Sequence, residues 1–425
     1  MIQRNRTNAQ LLWTTATVVW GLCGAAAQAQ GTETAALREN TSSLLQIFEA
    51  TWTRQPEAVA LQTRREAASA QQRATSAWTP EPPALEFSNK SDRLYRNQGA
   101  REIELGVSVP LWLPGERSRG AALASAESAA VESRAAAARL RVAASVREAW
   151  WQWHRARIDA YTARSQLDST QRIAADVVLR TKAGDLARAD QHQADGAVAG
   201  AQANVAQADA TLTAARQQLR ALAGFIPTLD EPGIAIQEPE PGMALIEVES
   251  HASLQELKDR AAVAEKTAAL TASRSRANPE LVLSTARDRG SFGESAQKTI
   301  TLGVRIPFGS GPRQDSRIAS ATAEATEAQA QLALERERLM AEREAARVRV
   351  DGLRTQLEAT ERRAQLARES RSFFDKSFRL GETDLPTRLR IEAEATEAER
   401  QASRTRIELS AAVSAWRQAL GLLPQ

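Results

Sequence analysis

The side chains best suited to metal binding or acid–base chemistry are three histidines that lie far apart in the sequence. His154, His192 and His251 form no HExxH or comparable local motif, so no metal site is predicted from them. The sequence also has no phosphate-binding glycine loop, nucleophile elbow or paired catalytic set, and Gly309-Ser310-Gly311 is better explained as a turn between a strand and a helix. We therefore predict no enzyme activity, no cofactor and no metal centre.

Three tryptophans beside His154 form the other local concentration of chemistry-bearing side chains. Trp150 and Trp153 would share one face of a helix, whereas Trp151 would point away from it. This spacing favours packing of the tryptophans between neighbouring helices over an aromatic ligand-binding site. Runs of Arg and Glu such as 335–338 are typical of solvated helix faces with ion pairing, and no nucleic-acid partner is predicted.

The composition favours long helices that pack through small side chains. Of the 425 residues, 84 are alanine and only 4% are aromatic, so there is little bulky material for a conventional globular core. The chain has 55 basic and 52 acidic residues, and removing Arg4 and Arg6 with a leader would leave 53 against 52. The net charge therefore gives no reason to invoke an anionic partner.

Residues 1–29 have the pattern of a secretory signal peptide. A basic start is followed by an apolar stretch over 11–24 and by the small-residue cleavage site Ala27-Gln28-Ala29, so the mature chain is expected to begin near Gln30. The apolar stretch is too short and too diluted for a membrane anchor. A bulky residue precedes Cys23, the only cysteine, and this argues against lipidation there.

The rest of the sequence contains an internal duplication. Three short sequence segments recur 197 positions later. The segment Leu105–Leu111 recurs as Leu302–Phe308, the segment around Gly184 as that around Gly381, and the segment around Gly224 as that around Gly421. A shared offset at three separated places predicts two structural repeats, 30–226 and 250–425. Residues 227–249 are rich in proline and are predicted to be a linker.

Each repeat is predicted to contain a short helix, a β-hairpin and a long helical hairpin. The β-hairpins lie at about 85–109 and 281–306 and the helical hairpins at about 115–224 and 313–421. The long proline-free stretches would form helices of about 100 Å, which must pack along one another as an elongated bundle. The fold class is mainly α with a β contribution.

The predicted strands alternate apolar and polar residues with period two, which gives each hairpin one apolar face. The apolar residues are Leu85, Phe87, Leu105, Val107, Val109, Leu281, Leu283, Ile300, Leu302, Val304 and Ile306. The polar hairpin tips are predicted at 88–101 and 285–298. Trp78, Tyr95 and Trp112 flank the first hairpin, where aromatic rings would suit a membrane interface.

Four strands are too few for a membrane barrel, because transmembrane barrels have at least about eight. A membrane interpretation therefore requires several chains to share one barrel. The alternative is a soluble four-stranded sheet with ordinary aromatic residues at its edges.

The sequence resembles the TolC family of outer-membrane efflux factors over nearly all of the predicted mature chain. The resemblance rests on the duplicated element order, on Asn278-Pro279-Glu280-Leu281, on the Leu-Gly-Val-x-[Val/Ile]-Pro strand ends and on Ser377–Gly381. It implies a homotrimer with a 12-stranded β-barrel surrounded by outer-membrane lipid. It further implies a long helical tunnel in the periplasm, a periplasmic adaptor and an inner-membrane pump of the proton-driven RND type.

The resemblance also places the adaptor contacts at the two helical turns. The tip residues would be Ala183, Gly184, Asp185, Leu186, Leu380, Gly381, Glu382, Asp384 and Leu385. Residues 381–390 look most like the branch that exports heavy metals of the cobalt-zinc-cadmium type. Where the family has two aspartates at the periplasmic entrance, this chain has Thr387 and Arg390, so an acidic cation gate is not expected.

The function expected from the resemblance is a passive exit duct in the outer membrane for divalent heavy-metal cations. Drug efflux and type I secretion are alternatives of the same class. A periplasmic coiled-coil scaffold or adaptor without a membrane barrel is the alternative from a different class. The strands separate them, because an adaptor would carry a compact β-domain in place of two alternating hairpins 197 residues apart.

Overall fold

Seven α-helices and four β-strands make up most of what the structure, a computed structural model, describes: residues 43–95, 97–226, 237–242, 247–308 and 311–425. The helices are α1 (Leu44–Thr53), α2 (Pro56–Ser76), α3 (Glu116–Ala183), α4 (Arg188–Ala223), α5 (Ala252–Ser273), α6 (Gly311–Arg379) and α7 (Leu385–Ala419). The strands are β1 (Ala84–Ser91), β2 (Arg101–Pro110), β3 (Glu280–Arg289) and β4 (Gln297–Arg305). The predicted signal peptide at 1–29 and much of the predicted linker lie outside the described residues.

The predicted class, mainly helical with antiparallel strands, is confirmed, but some boundaries differ. Helix α1 has no counterpart among the sequence predictions. Strands β1 and β3 continue to Ser91 and Arg289, past the predicted starts of the polar tips, because backbone pairing continues through polar residues such as Lys90 opposite Glu102. Ile306 lies just beyond the end of β4.

The two longest helices contain 68 and 69 residues, which corresponds to about 100 Å each. Helix α3 is bounded by two glycines in the left-handed conformation, Gly115 before its first residue and Gly184 after its last, with φ of 77° and 90°. Only glycine adopts this conformation without a steric cost, so the sequence itself sets both ends. No helix in the described part of the chain is both long and apolar enough to cross a lipid bilayer.

The helices pack side by side as a layer. In the half nearer the helical turns the order is α4-α3-α7-α6, and in the half nearer the strands it is α2-α3-α5-α6. Small side chains fill the contacts of α3, where Ala137, Ala143, Ala149 and Ala160 are almost fully buried. The abundant alanines therefore have a packing role, because their small side chains let the helices approach closely.

The largest apolar cluster lies where α1 packs onto α3 and α4. Trp150, Trp151 and Trp153 are all buried in it, together with Phe48 of α1. The indole rings surround His154, whose ring centre is 4.5 Å from that of Trp150. Burial, with a smaller contribution from the charge of Arg157, lowers the pKa of His154 to about 4, so the imidazole is neutral at pH 7.

A buried carboxylate joins the segment 237–242 to the helix layer. Glu238 accepts hydrogen bonds from Arg147 of α3 at 2.7 and 2.9 Å and from Arg417 of α7 at 3.2 Å. All three side chains are at most 4% exposed. Arg147 also donates to the carbonyl of Leu422 and Arg417 to that of Pro239, so one charge cluster holds both the segment and the C-terminus.

We predict that Glu238→Gln destabilises the protein by about 3 kcal/mol, because it leaves two buried guanidinium groups without a countercharge. Glu240→Gln is the matched control in the same segment. Glu240 pairs with Arg354 at 2.9 Å, but both side chains are about half exposed, so this change should cost less than about 1 kcal/mol. Denaturant unfolding followed by circular dichroism measures both, and equal destabilisation would contradict the prediction.

Candidate functional site

The four strands form one antiparallel sheet in the order β1-β2-β3-β4. Its register aligns the apolar residues of all strands on one face. Leu85 lies opposite Val107, Val107 opposite Leu283, and Leu283 opposite Leu302, so one apolar row crosses the whole sheet. The adjacent rows contain Phe87, Leu105 and Ile300 on one side and Val109, Leu281 and Val304 on the other.

The burial of the two sheet faces is the reverse of that in a soluble protein. On the apolar face Leu85, Ile300 and Leu302 are 71 to 80% exposed. On the opposite face the small residues Ser108 and Ser284 are buried. Charged residues on this opposite face, such as Lys90 and Arg305, stay exposed. We call the first face the apolar sheet face.

The three aromatic residues predicted to lie at a membrane interface are found at both ends of the strands. Trp78 precedes β1 and is 94% exposed, and Tyr95 in the β1–β2 loop is 99% exposed. Trp112 follows β2, is half-buried, and donates a hydrogen bond from Nε1 to the carbonyl of Ala77 at 3.3 Å. The placement at both ends fits their predicted role, which stays a prediction.

A buried glutamate connects the sheet to the helices. Glu116, 1% exposed at the start of α3, accepts hydrogen bonds from Arg274 at 2.7 Å, from Asn278 at 2.7 Å and from the backbone of Leu113 at 3.1 Å. Asn278 also donates to the carbonyl of Leu111. Asn278 belongs to a motif that carries the family resemblance, but Glu116 was not predicted from the sequence, because its side-chain partners are about 160 residues away.

The two helical turns lie next to each other at the far end of the layer. After α3, Gly184 in the left-handed conformation lets the backbone of Asp185 donate back to the carbonyl of Arg180 at 2.9 Å. Gly381 does the same after α6, with φ of 78°. Ala183, Gly184, Asp185, Leu380, Gly381, Glu382 and Asp384 are exposed, and Leu186 is partly buried.

Arg180, near the end of α3, links the two turns by hydrogen bonds to the end of α6. Its guanidinium donates to the carbonyl of Phe378 at 2.9 Å and to that of Arg379 at 3.4 Å, and lies 4.7 Å from the centre of the Phe378 ring. A cation at the C-terminal end of α6 also interacts favourably with the helix dipole. Sequence reasoning missed this residue, because nothing local indicates that the end of α3 lies beside the end of α6.

One predicted tip residue requires correction. Leu385 is only 1% exposed and packs with Val177, Ala194 and Phe378 in an apolar cluster beneath the turns. It is the first residue of α7, and the helix turns its side chain toward α3 and α4, away from solvent. Leu385 therefore supports the shape of the turn and does not present a side chain to a partner.

Below the turns, a second buried network links α3, α6 and α7. Arg388, 5% exposed, donates to Glu392 at 2.8 Å and to Asp375 at 2.9 Å, and Ser169 of α3 donates to Glu392 at 2.7 Å. These carboxylates are therefore already neutralised by arginine. In the described ranges no group of three or more His, Cys, Asp or Glu side chains is arranged to hold a metal ion.

Thr387 and Arg390, at which the resemblance gave no reason to expect an acidic gate, do not supply a negative charge. The backbone N–H of Thr387 donates to the side chain of Asp384 at 3.3 Å, so Asp384 caps the start of α7. Hydrogen bonding with Thr387 lowers the pKa of Asp384. Arg390 is exposed and pairs with Glu394 at 2.7 Å. The exposed carboxylates closest to the second turn in sequence are Glu382 and Asp384.

Comparisons with known proteins agree with this geometry. Residues 47–225 match the family model of outer membrane efflux proteins. The fold is similar to that of the outer membrane protein VceC from Vibrio cholerae, with 18% identity over 89% of this chain and 96% of that one and a TM-score of 0.71. No protein with a curated function matches the sequence.

Two further solved structures share the fold. CusC, described in terms of transmembrane channel formation, has 16% identity over 89% of this chain and 92% of its own, with a TM-score of 0.74. The open state of the MtrE outer membrane channel of Neisseria gonorrhoeae has 13% identity over 89% of each chain and a TM-score of 0.71. At these identities the similarity establishes the fold.

The turns provide a test of the correction above. Leu385→Ala should loosen the second turn and cost about 2 to 5 kcal/mol, because it removes a fully buried side chain. Leu380→Ala, one turn away and 75% exposed, is the control and should change stability by less than about 0.5 kcal/mol. Hydrogen exchange of the backbone amides at 377–390 measures the difference, and equal protection in both variants would contradict it.

Proposed function

We propose that the chain is a TolC-type outer-membrane efflux channel in which three copies form one passive duct. The observation that carries this proposal is the apolar sheet face, where large apolar side chains are exposed across all four strands. In water such a face is an aggregation hazard, whereas in lipid it is the required surface. The match of 47–225 to outer membrane efflux proteins supports the same conclusion.

The strands have the length that a bilayer requires. Strand β2 has 10 residues, which corresponds to about 33 Å along the strand, and tilted transmembrane strands need about 9 to 11 residues. The row of Leu85, Val107, Leu283 and Leu302 would lie near the middle of the apolar band. Trp78 and Trp112 at one end and Tyr95 at the other would lie at the two interfaces.

The number of strands requires assembly. Strands β1 and β4 are the edges of the sheet, and in lipid their unpaired backbone groups would be costly. Three copies of a four-stranded sheet supply 12 strands, the arrangement that the TolC resemblance implies. The helix layer also has two edges, α6 on one side and α2 with α4 on the other, which neighbouring copies would cover to form the tunnel.

Such a duct performs no chemistry. It keeps the solute in water as it crosses the barrier, so the energy must come from a partner pump in the inner membrane. We place the contact with a periplasmic adaptor at the exposed turn residues, from Ala183 to Asp185 and from Leu380 to Asp384. A scaffold without a barrel is disfavoured because it would have no use for an exposed apolar sheet face.

Membrane insertion is tested by charge on the sheet. Leu302→Lys should lower the yield of trimers in the outer-membrane fraction, because a lysine near the bilayer middle costs about 2 to 4 kcal/mol per chain. Thr301→Lys, the next residue on the opposite face, is the matched control and should insert normally. Fractionation followed by electrophoresis in mild detergent measures both variants.

A wild-type protein that is a soluble periplasmic monomer would end the channel proposal. Normal insertion of the Leu302→Lys variant would show that the apolar sheet face does not contact lipid.

For the substrate we propose divalent heavy-metal cations, on the basis of the resemblance of 381–390 to metal exporters. A deletion strain should then lose tolerance to zinc, cobalt, cadmium or nickel and keep its tolerance to drugs, as growth inhibition assays would measure. Loss of drug tolerance alone would favour drug efflux, and loss of a secreted protein would favour type I secretion.

The same strain tests the adaptor contact. Complementation with the Leu380→Asp variant should restore trimers but not tolerance, because a charge replaces an exposed apolar side chain at the proposed contact. Leu366→Asp, at another exposed leucine on α6 about 20 Å from Leu380 along the helix, is the control for a general effect of an added charge. Full tolerance with Leu380→Asp would remove Leu380 from the contact.

A further inference from the structure

The apolar sheet face ends in a group of basic residues on the side of the hairpin loops. Beyond the row of Phe87 and Ile300, the same face carries Arg287 and Lys298, followed by Arg101 and Arg289. We call these four residues the basic rim. They lie within about 15 Å of the row of Phe87 and Ile300 along the strands. Arg101, Arg287 and Lys298 are exposed, and Arg289 is partly buried.

The basic rim places like charges directly beside each other. Arg101 is the cross-strand partner of Arg289, and Arg287 is the partner of Lys298. Directly opposed side chains have Cβ atoms about 5 Å apart, and like charges at that distance destabilise a sheet. Two such pairs in consecutive rows need a negative charge from elsewhere.

The described residues do not supply that charge. Among the described residues, no ion pair joins Arg101, Arg287, Arg289 or Lys298 to a carboxylate. Cations on the opposite face do have partners: Lys90 pairs with Glu102 at 3.1 Å and Arg305 with Glu280 at 3.3 Å. Arg289 donates to the carbonyl of Gly99 and lies over the Phe292 ring. The two faces of the same strands therefore differ in charge compensation.

The hairpin loops do not compensate the rim either. Asp92 of the first loop accepts a hydrogen bond from the backbone of Gln98 at 2.7 Å. Glu294 of the second accepts one from the Ser291 hydroxyl at 3.4 Å. Neither carboxylate forms an ion pair with a described basic residue.

We propose that the basic rim binds the phosphate groups of the lipids that surround the barrel. Guanidinium groups bind phosphate oxygens in a bidentate manner, and four cations per copy next to an apolar band match a lipid with a charged headgroup and apolar chains. A soluble anion would contact the cations but not the apolar rows, whereas a lipid contacts both. This inference rests on the proposed membrane channel, because it requires the apolar sheet face to contact lipid.

The position of the basic rim on the strands indicates which leaflet of the outer membrane it contacts. The hairpin loops lie at the end of the strands opposite the long helices, so if the helices are periplasmic the rim faces the outer leaflet. We therefore name the partner as a phosphorylated lipid of that leaflet, with lipid A as the probe. Arg101, Arg287 and Lys298 are the residues to change, because Arg289 also supports the loop.

The test compares lipid binding by the purified full-length trimer in detergent, measured by native mass spectrometry. Wild-type protein should bind bisphosphorylated lipid A more tightly than the same lipid without phosphates. The variant Arg101→Gln/Arg287→Gln/Lys298→Gln should lose at least about tenfold in affinity, given the contribution of each basic residue at an anionic surface. Lys90→Gln/Arg305→Gln, with cations removed from the opposite face, should bind as wild type.

Equal lipid A affinity in the triple variant and in wild type would overturn the proposal, as would complete displacement of lipid A by millimolar inorganic phosphate. The charge-retaining variant Arg287→Lys should lose less affinity than the triple variant, because it keeps the charge without the bidentate geometry, and this separates loss of charge from loss of fold. Outer-membrane fractionation of the same proteins tests the channel itself. Failure of wild type to insert would count against the channel, whereas normal insertion with unchanged lipid binding would count against the rim alone.

Discussion

The structure depends on one constraint, which is that a single copy of the chain cannot pair the edges of its own sheet. Strands β1 and β4 each have one neighbour, and the helix layer likewise ends on α6 at one side and on α2 and α4 at the other. Unpaired strand edges are tolerable only when they are covered, most of all in lipid, where no water can satisfy the backbone. In the channel proposed above, neighbouring copies of the chain would cover these edges.

The sheet and the helix layer use small residues in different places. In the sheet, large apolar residues are exposed on one face, and the small residues Ser108 and Ser284 are buried on the other. In the helix layer, alanine reduces the distance between helices. Polar side chains then hold the parts in position at four places: Glu116 beneath the sheet, Glu238 in the middle of the layer, Arg388 below the turns and Arg180 at the turns.

Much of the fold could be predicted because the signals are local. Period-two alternation identified most of the apolar residues on the apolar sheet face, although it missed Ile103 and included Ile306 beyond the end of β4, and glycines and prolines marked the turns between helices. The strands were predicted too short, because polar pairs such as Lys90 and Glu102 carry no apolar alternation. Leu385 was assigned to an exposed tip, because its position next to the turn does not reveal the apolar cluster of α3 and α4 that covers it.

The sequence by itself determined the order of the elements after α1, the duplication and most residues of the apolar sheet face, since each follows from spacing along the chain. Only the tertiary structure decided which of those elements are neighbours and which charges are compensated. Arg101 and Arg289 are 188 positions apart in the chain, yet they are cross-strand partners, and Arg147, Glu238 and Arg417 meet from three distant segments. Electrostatic energy depends on distance in space, which spacing in the sequence does not contain.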